Sequence, residues 1–543
     1  MGASSYTDNL VLPQFADGDR PTWRGDVNGA FAAIDESVKA VEDDIAAINS
    51  GFNGNVDARI KATERNVFAS KYLPGAASDL AALQAARDAA VARNGRLIID
   101  DIGRDWVIAD SLKFDTMSNF TVHMEGRIKR ADNSARTSLL WFYNCTMVRV
   151  GVVRTNGNVA NNTYNPGTGV IPVDEAKHDV RIEGCVGVAV ERVSSLNPAG
   201  DAVYVTGATS NVWFGHIRSQ SDAATGRNTL SVVQGDTITV ESAMCLGTGY
   251  TTMPGGVDIE PNNGQTVSNV DIGHALIKTA GTSGFNVYGN YTVGGVRQIS
   301  NVQVGNVLVV KSASTGATAC DVLIKGVVNF VADSITILQD VAATNYAINI
   351  DDADTVAIMN LQVPRSGKTF HIGATANVDN LRIRGSYTST SSQQALNVFN
   401  LNHGDIDMKL RCTVAGGILV VKQSTGTSSG VRFRGDWRKD GTAGTGCMQV
   451  NGAVTDWVLD AVDMSGWTTN RVLGAQAGSG IKKLNCRGLN FGTAIPGNTG
   501  DTWIQGDKIE NETPVAGGAP GWVCTTGGAY GTFVFKALAN LAP

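Results

Sequence analysis

The 543-residue sequence is short of the features that sort a chain of this length most quickly. No uninterrupted apolar run reaches the ~18 residues that a membrane-crossing helix needs, which excludes insertion by that route. Charged residues make up only 17%, the formal net charge is -6, and no Lys/Arg block stands out. Nucleic acid is therefore not expected as a partner. The eight cysteines include no CxxC pair and the six histidines are dispersed, so no metal centre built from them is expected. Isolated cysteines of this kind read as reduced, buried, small apolar residues. The first thirty residues lack the basic start and apolar stretch of a secretory signal, so no such leader is expected. Beyond Asn94 no long segment of helical period appears either.

What is present is short and repetitive. Glycine (63) far outnumbers proline (13), and bursts of Val, Ile and Thr alternate with Gly, Asn and Asp. That is the texture of many short strands joined by tight turns. Examples are Val180-Arg-Ile182, Val212-Trp-Phe214, Val270-Asp-Ile272, Val302-Gln-Val304, Leu381-Arg-Ile383 and Val431-Arg-Phe433, ending with Trp457-Val-Leu459 and Ile481-Lys-Lys-Leu484. In the middle the bursts become periodic. Val203, Leu230, Val257 and Phe285 follow one another at intervals of 27, 27 and 28. Such a period marks a solenoid, each repeat burying its apolar face against its neighbours. Alternation within each burst sends Tyr204, Ser231, Asp258 and Asn286 outward, with Glu260 two places beyond Asp258.

Ahead of the strands the pattern differs. Phe31, Ile34, Val38, Val41, Ile45 and Ile48 keep a 3-4-3-4-3 spacing, the seam of a coiled coil, and their β-branched content favours three or four strands over two. The alternative is one amphipathic helix packed on its own domain. Val56, Ile60 and Val67 suggest a second short helix. A further helix is expected from Ser78, its N-cap, to the Asn94-Gly95 stop, placed to plug the open end of a solenoid. The expected division is an irregular segment 1–26, a helical stem 27–68, a linker and capping helix 69–96, a parallel β-helix 97–500 and a small C-terminal β module 501–543.

The stem, the Asp79–Asn94 helix entering a strand and the long run of rungs together resemble a bacteriophage tailspike. Asn197-Pro-Ala-Gly-Asp-Ala-Val-Tyr-Val205, Gly226-Arg-Asn-Thr-Leu-Ser-Val232 and Gly256-Val-Asp-Ile-Glu-Pro-Asn262 are similar to motifs of that group, although Gly200-Asp-Ala-Val203 departs from its usual Gly-Asp-Gly-Ile. The stretch Leu12–Ala30 resembles the start of minor tail proteins of actinobacterial phages. Asn511-x-x-Pro514 and Gly521–Gly528 resemble a module that ends many phage spikes. The resemblance implies an all-β, right-handed parallel β-helix of the pectate-lyase type, assembled as a homotrimer. It also implies a place in the virion tail, docking to other tail proteins through residues 1–26, and attachment to a bacterial surface polysaccharide.

Asp258 and Glu260, two apart on a strand, leave one face with Cα atoms roughly 6.5–7 Å apart. Glycoside hydrolases place their two carboxyls about 5 Å apart (retaining) or 6.5–9.5 Å apart (inverting). One carboxyl must hold a proton while the other stays ionised, a division that close approach promotes. Asp201 is expected to assist from about 9–10 Å, two rungs away. Arg227 and Asn228 would position substrate, with Asn262 and Asn286 beside them and Tyr204 and Tyr288 stacking on sugar rings. Three readings stay open: a tailspike that binds and cleaves polysaccharide, a non-enzymatic receptor-binding fibre, and a secreted lyase or hydrolase. No cofactor is expected. A calcium-assisted lyase with Arg227 as base ranks below hydrolysis, and a divalent cation stays open. Asp351, Asp352 and Asp354 read as a solvated turn, and His403-Gly-Asp405 as another.

Overall fold

The computed structural model describes most of residues 65–540, leaving out short stretches of which 163–173, 311–319, 248–254, 339–345, 474–480 and 496–502 are the longest. Before residue 65 it describes Ser5, Tyr6, Pro13, Gln14, Glu36, Val38, Lys39 and Asp43. The chain divides into two units: Met1–Val67 with Ala89–Arg96, and Phe68–Asp88 with Leu97–Pro543.

In the first unit, Ser5–Tyr6 and Pro13–Gln14 pair antiparallel. Glu36, Val38, Lys39 and Asp43 are helical. The other seam positions, Phe31, Ile34, Val41, Ile45 and Ile48, lie outside the described residues, as do Val56 and Ile60. Val67 lies in a strand, Asn66–Phe68, where a second short helix was expected.

The second unit is an all-β parallel solenoid of about 14 turns with almost no helix. Its register matches the spacing of the apolar anchors: Val203 pairs with Leu230, Leu230 with Val257, and Val257 with Phe285. Those side chains are at most 1% exposed and stack along the axis. Burying a side chain of this size contributes about 1.5–3 kcal/mol, repeated in every turn. The strands of the opposite wall are longer, such as Val186–Leu196 and Ser210–Gln220. In the first of these the alternation breaks at Glu191-Arg192, where two successive residues point out and the chain rounds a corner.

Another corner repeats at one residue per turn. Asn211, Thr237, Asn269, Asn301, Asn329, Thr355, Asn380 and His403 all have φ between 54° and 65°. Each follows a residue in continuous register, Ser210, Asp236, Ser268, Ser300, Val328, Asp354, Asp379 and Asn402. Asparagine tolerates this left-handed backbone better than most residues. Its side chain adds a ladder, Asn301 donating to Asn269 at 2.9 Å and Asn329 to Asn301 at 3.1 Å.

The helix Asp79–Ala92 carries the expected signals at both ends. Ser78 Oγ accepts the Ala81 N–H at 3.1 Å, and Asp79 accepts from Val107 N–H at 2.7 Å while pairing with Arg104 at 2.6 Å. Ala82, Leu83 and Ala86 are fully buried. At the other end Gly95 N–H bonds the Ala90 carbonyl and Asn94 takes φ 47°.

Four short strands, Phe491–Gly492, Lys508–Asn511, Gly521–Thr526 and Val534–Ala537, form a separate sheet with antiparallel pairing in its last two joins. It begins about ten residues before the expected boundary and belongs to the same compact unit as the rungs. A buried ion pair joins it to the last rung, Lys483 to Asp507 at 2.9 Å, with the Lys483 ammonium 4.8 Å from the Trp503 ring centre. All eight cysteines are free and buried.

Candidate active site on the outer wall

One column of the wall runs Arg181, Tyr204, Ser231, Asp258, Asn286 on successive rungs. Each residue is held by the apolar pair that flanks it, as Asp258 is by Val257 and Ile259, both at most 1% exposed. Just ahead of this strand, a Cβ on Gly256 would lie 2.0 Å from the Gly284 carbonyl of the next rung, so only glycine lets the two turns close up here. Beside this column stands a second, of residues two places before each strand: His178, Asp201 and Asn228. Backbone bonds keep it in step, Asp179 N–H to the Asp201 carbonyl and Ala202 N–H to that of Asn228.

Pointing away from the core does not leave these groups solvated. Asp258 is 4% exposed, Asp201 and Asn228 0%, and Asn286 4%. The neighbouring rungs crowd over it and supply its hydrogen bonds. Asn228 Nδ2 donates to Oδ2 at 2.9 Å and Asn286 Nδ2 to Oδ1 at 2.6 Å. Asn228 also ties the two carboxylates together, because its backbone N–H donates to Asp201 Oδ1 at 3.2 Å. Its amide reaches Ser231 Oγ at 2.8 Å as well.

The carboxyls end in different states. Burial pushes Asp258 up to about 7, and the negative charge of Glu260 adds to the push. Glu260 is half-buried and is also raised, by burial first, while Arg227 pulls it back and Glu175 and Asp201 oppose that pull. Asp201 is buried too, but Arg227 and His178 outweigh the burial and hold it below the usual carboxylate range. Arg227 Nε lies 3.2 Å from Asp201 and its Nη1 3.5 Å from Glu175. His178 Nδ1 lies 3.2 Å from Asp201, and burial lowers its pKa, favouring the neutral ring. The arrangement thus holds one carboxyl protonated near neutrality, one ionised, and one half-exposed between them in character. That is the equipment of acid–base chemistry.

Several expected binders turn out otherwise engaged. The Tyr204 ring stacks on His178, centroids 4.0 Å apart and planes within 7°, with the Arg181 guanidinium 5.7 Å away over the ring. Those faces are not open to a sugar. Tyr288 has Lys325 over its ring at 5.5 Å. Arg227 pairs with the Asp201 and Glu175 carboxylates, and its charge also acts on Glu260 and Asp258. Asn262 is exposed in the turn that follows the rung, its carbonyl accepting from Gln298 at 2.6 Å. His178 and Glu175 were not anticipated. The signal for His178 existed: it precedes Val180 by two, as Asp201 precedes Val203 and Asn228 precedes Leu230.

Elsewhere the acidic cluster, expected as a solvated turn, lies inside the strand Tyr346–Ser366, with Asp351 1% exposed. Asp351 accepts from the Thr375 and Ala376 N–H groups, each at 2.9 Å, and Asp352 pairs with Arg297 at 3.1 Å. A cavity of about 440 Å³ sits between the last rung and the terminal sheet, lined by Lys482, Asn485, Phe491, Gln505, Lys508 and Glu510 among others. Its one buried charge pair, Lys483–Asp507, is mutually satisfied, so the chemistry is assigned to the Asp258 groove instead. Among the described residues no cluster of three or more His, Cys, Asp or Glu side chains is arranged to hold a metal ion. No helix among them is long and apolar enough to cross a membrane.

No protein-family model matches the chain, and no curated sequence matches it. Solved structures do. One is PfbA, a surface adhesin of Streptococcus pneumoniae, at TM-score 0.39 and 12% identity over 88% of this chain and 99% of that one. An endo-xylogalacturonan hydrolase from Aspergillus tubingensis follows at TM-score 0.31 and 14% identity, over 74% and 94%. A hyperthermoactive exopolygalacturonase from Thermotoga maritima has TM-score 0.25 and 11% identity, over 78% and 92%. At these values the functional argument rests on the residues of the groove itself.

Proposed function

We propose that the protein binds a bacterial surface polysaccharide along the outer wall of its solenoid and hydrolyses it at Asp258, as a phage tailspike does during attachment. The observation that carries the reading is the Asp258 carboxyl, buried between two amide donors beside Glu260, where burial pushes its pKa up to about 7. Asp258 gives its proton to the glycosidic oxygen as the bond from that oxygen to the anomeric carbon breaks. Glu260, the more accessible carboxylate, takes a proton from the water whose oxygen bonds to that carbon. The two carboxyls then exchange their protons with solvent. Asp201, Arg227 and His178 fix the backbone and field around the pair rather than touch the sugar.

The tailspike reading adds a homotrimer built on the Phe31–Ile48 seam, docked into the virion through residues 1–26. Its support is the heptad spacing and the resemblance of Leu12–Ala30. The test of the chemistry is release of new reducing ends from bacterial capsule or cell-wall glycan, with Asp258→Asn as the control. The test of the assembly is mass in solution, where a chain running at 56.9 kDa removes the stem argument.

A second reading is supported by a different observation. The Tyr204 ring beside the groove is already covered by His178, as in a surface built to display a fixed shape rather than to grip a chain. A protein that binds glycan without releasing reducing ends is that non-enzymatic fibre.

A further inference from the structure

The cavity between the last rung and the terminal sheet has more positive charge in its lining than its own acids meet. The stack of inward anchors Ile406, Phe433 and Leu459 ends in Lys483, where another apolar residue would continue it. The Lys483 ammonium is spent on Asp507. Asn490 fixes the same corner, donating to the Lys483 carbonyl at 3.2 Å and the Lys508 carbonyl at 2.7 Å, and accepting from the Cys486 N–H at 2.9 Å. These bonds tie rung and sheet together around an open space of about 440 Å³. Small-ligand sites span about 300–1,000 Å³. Two further ammoniums line the space, Lys482 on the last rung and Lys508 on the strand Lys508–Asn511, both exposed. Neither pairs with a carboxylate among the described residues, and the remaining acid in the lining is Glu510. Two unmet cations against one acid leave a local positive balance in a chain whose formal net charge is -6.

We propose that this cavity binds one unit of an acidic sugar, with its carboxylate held by Lys482 and Lys508. The charge balance suits a single carboxylate. Leu484, 46% exposed, and the half-buried Phe491 give an apolar surface for the C–H face of a ring. The exposed Gln505 amide and the Glu510 carboxylate supply partners for its hydroxyls. A bare inorganic anion would use the lysines and leave the rest idle. A neutral sugar would leave both ammoniums unmatched. The site holds its ligand rather than cutting it, because Asp507 is occupied by Lys483 and Glu510 has no second acid to share the work. The proposal goes beyond the Asp258 groove and stands whether or not that groove cleaves.

The test uses the full-length protein with glucuronate, galacturonate and N-acetylneuraminate as methyl glycosides, each against its uncharged methyl ester. Acetate and inorganic phosphate serve as the simple-anion probes. Binding is read by saturation-transfer NMR and calorimetry. The expected result is binding of at least one acid, with its ester weaker by about tenfold or more, and weakening by added salt. Lys482→Gln and Lys508→Gln should each lower affinity for that acid about tenfold. Lys536→Gln, an exposed lysine of the same sheet outside the lining, should leave it unchanged. All three side chains are exposed, so the variants are expected to fold. If one lysine variant fails to, the other and the acid–ester comparison decide. Equal binding of acid and ester, binding of no acidic sugar, equal competition by acetate or phosphate, or lysine variants that bind as the unaltered protein does overturns the proposal. Reducing-end release is read in parallel on bacterial polysaccharide. Cleavage without acid binding keeps the hydrolytic reading and removes this one. Acid binding that depends on the two lysines, without cleavage, does the opposite.

Discussion

Asp258 and Asp321 are both carboxylates buried in the wall of the solenoid, 4% and 0% exposed, one just after and one just before the apolar anchor of its rung. Asp321 receives a cation: the Lys368 ammonium, itself fully buried, sits 2.7 Å away. Asp258 receives two neutral amides and a second carboxylate as neighbour. The first solution is structural, since a buried charge with a dedicated counter-charge has no reason to change its protonation. The second leaves a carboxyl that exchanges its proton near neutrality, at a cost to the fold that a merely structural site would avoid. The fold is the same in both stretches; the partner decides what the buried acid is for.

The comparison breaks most severely if the pair is cut. Catalysis should fall about 10²–10⁴-fold in Asp258→Asn, measured as reducing-end release, because the proton donor is gone. An unaltered rate would clear Asp258 of the role. Stability should respond in the opposite sense in the two stretches. Lys368→Met strands the Asp321 charge and should cost about 3–5 kcal/mol in denaturant unfolding, with most of it recovered when Asp321→Leu is added.

At Asp258 the sign follows from its raised pKa. Between its ordinary value and about 7 the folded protein binds the proton that the unfolded chain releases, so stability falls as pH rises through that window. Asp258→Asn removes this loss. Melting temperatures of the variant should therefore gain on those of the unaltered protein from pH 4 to pH 7 and stay level above. A constant difference across that range would show that Asp258 is not held protonated. A smaller shift is expected for the Asp258 titration in Glu260→Gln. With that negative charge gone it should move to lower pH, read from the Asp258 carboxyl ¹³C shift, since this variant also lacks the base that the rate requires. The smallest change lies at the corner ladder, where Asn301→Ala should lose about 1–2 kcal/mol and Asn301→Gly less, because φ is 55° there.

Much of the wall was legible before any coordinates. Intervals of 27, 27 and 28 placed Val203, Leu230, Val257 and Phe285 in one stack, and the observed register pairs those residues with one another. Alternation then put Tyr204, Ser231, Asp258 and Asn286 in the facing column. Past Phe285 the period hides. Its partner Val322 comes 37 residues on, Ile348 then 26 and Phe370 then 22, because the turns between strands take insertions freely while the strands do not. The corner column was equally available, as Asn or Thr ahead of an alternating apolar pair in Ser210-Asn-Val-Trp-Phe214, Asp236-Thr-Ile-Thr-Val240 and Ser268-Asn-Val-Asp-Ile272.

The sequence by itself determined the architecture, because solenoid stacking is nearest-neighbour physics written in apolar spacing and turn residues. It also determined which acids share a face. What only the tertiary structure decided is their environment. Whether an outward side chain is wet or dry depends on the rungs above and below, and those gave Asp258 two amides, gave Asp201 the Arg227 and His178 side chains, and covered Tyr204 with an imidazole. Protonation follows from that burial and those partners, which are sums over residues distant in the chain, and no local spacing records them.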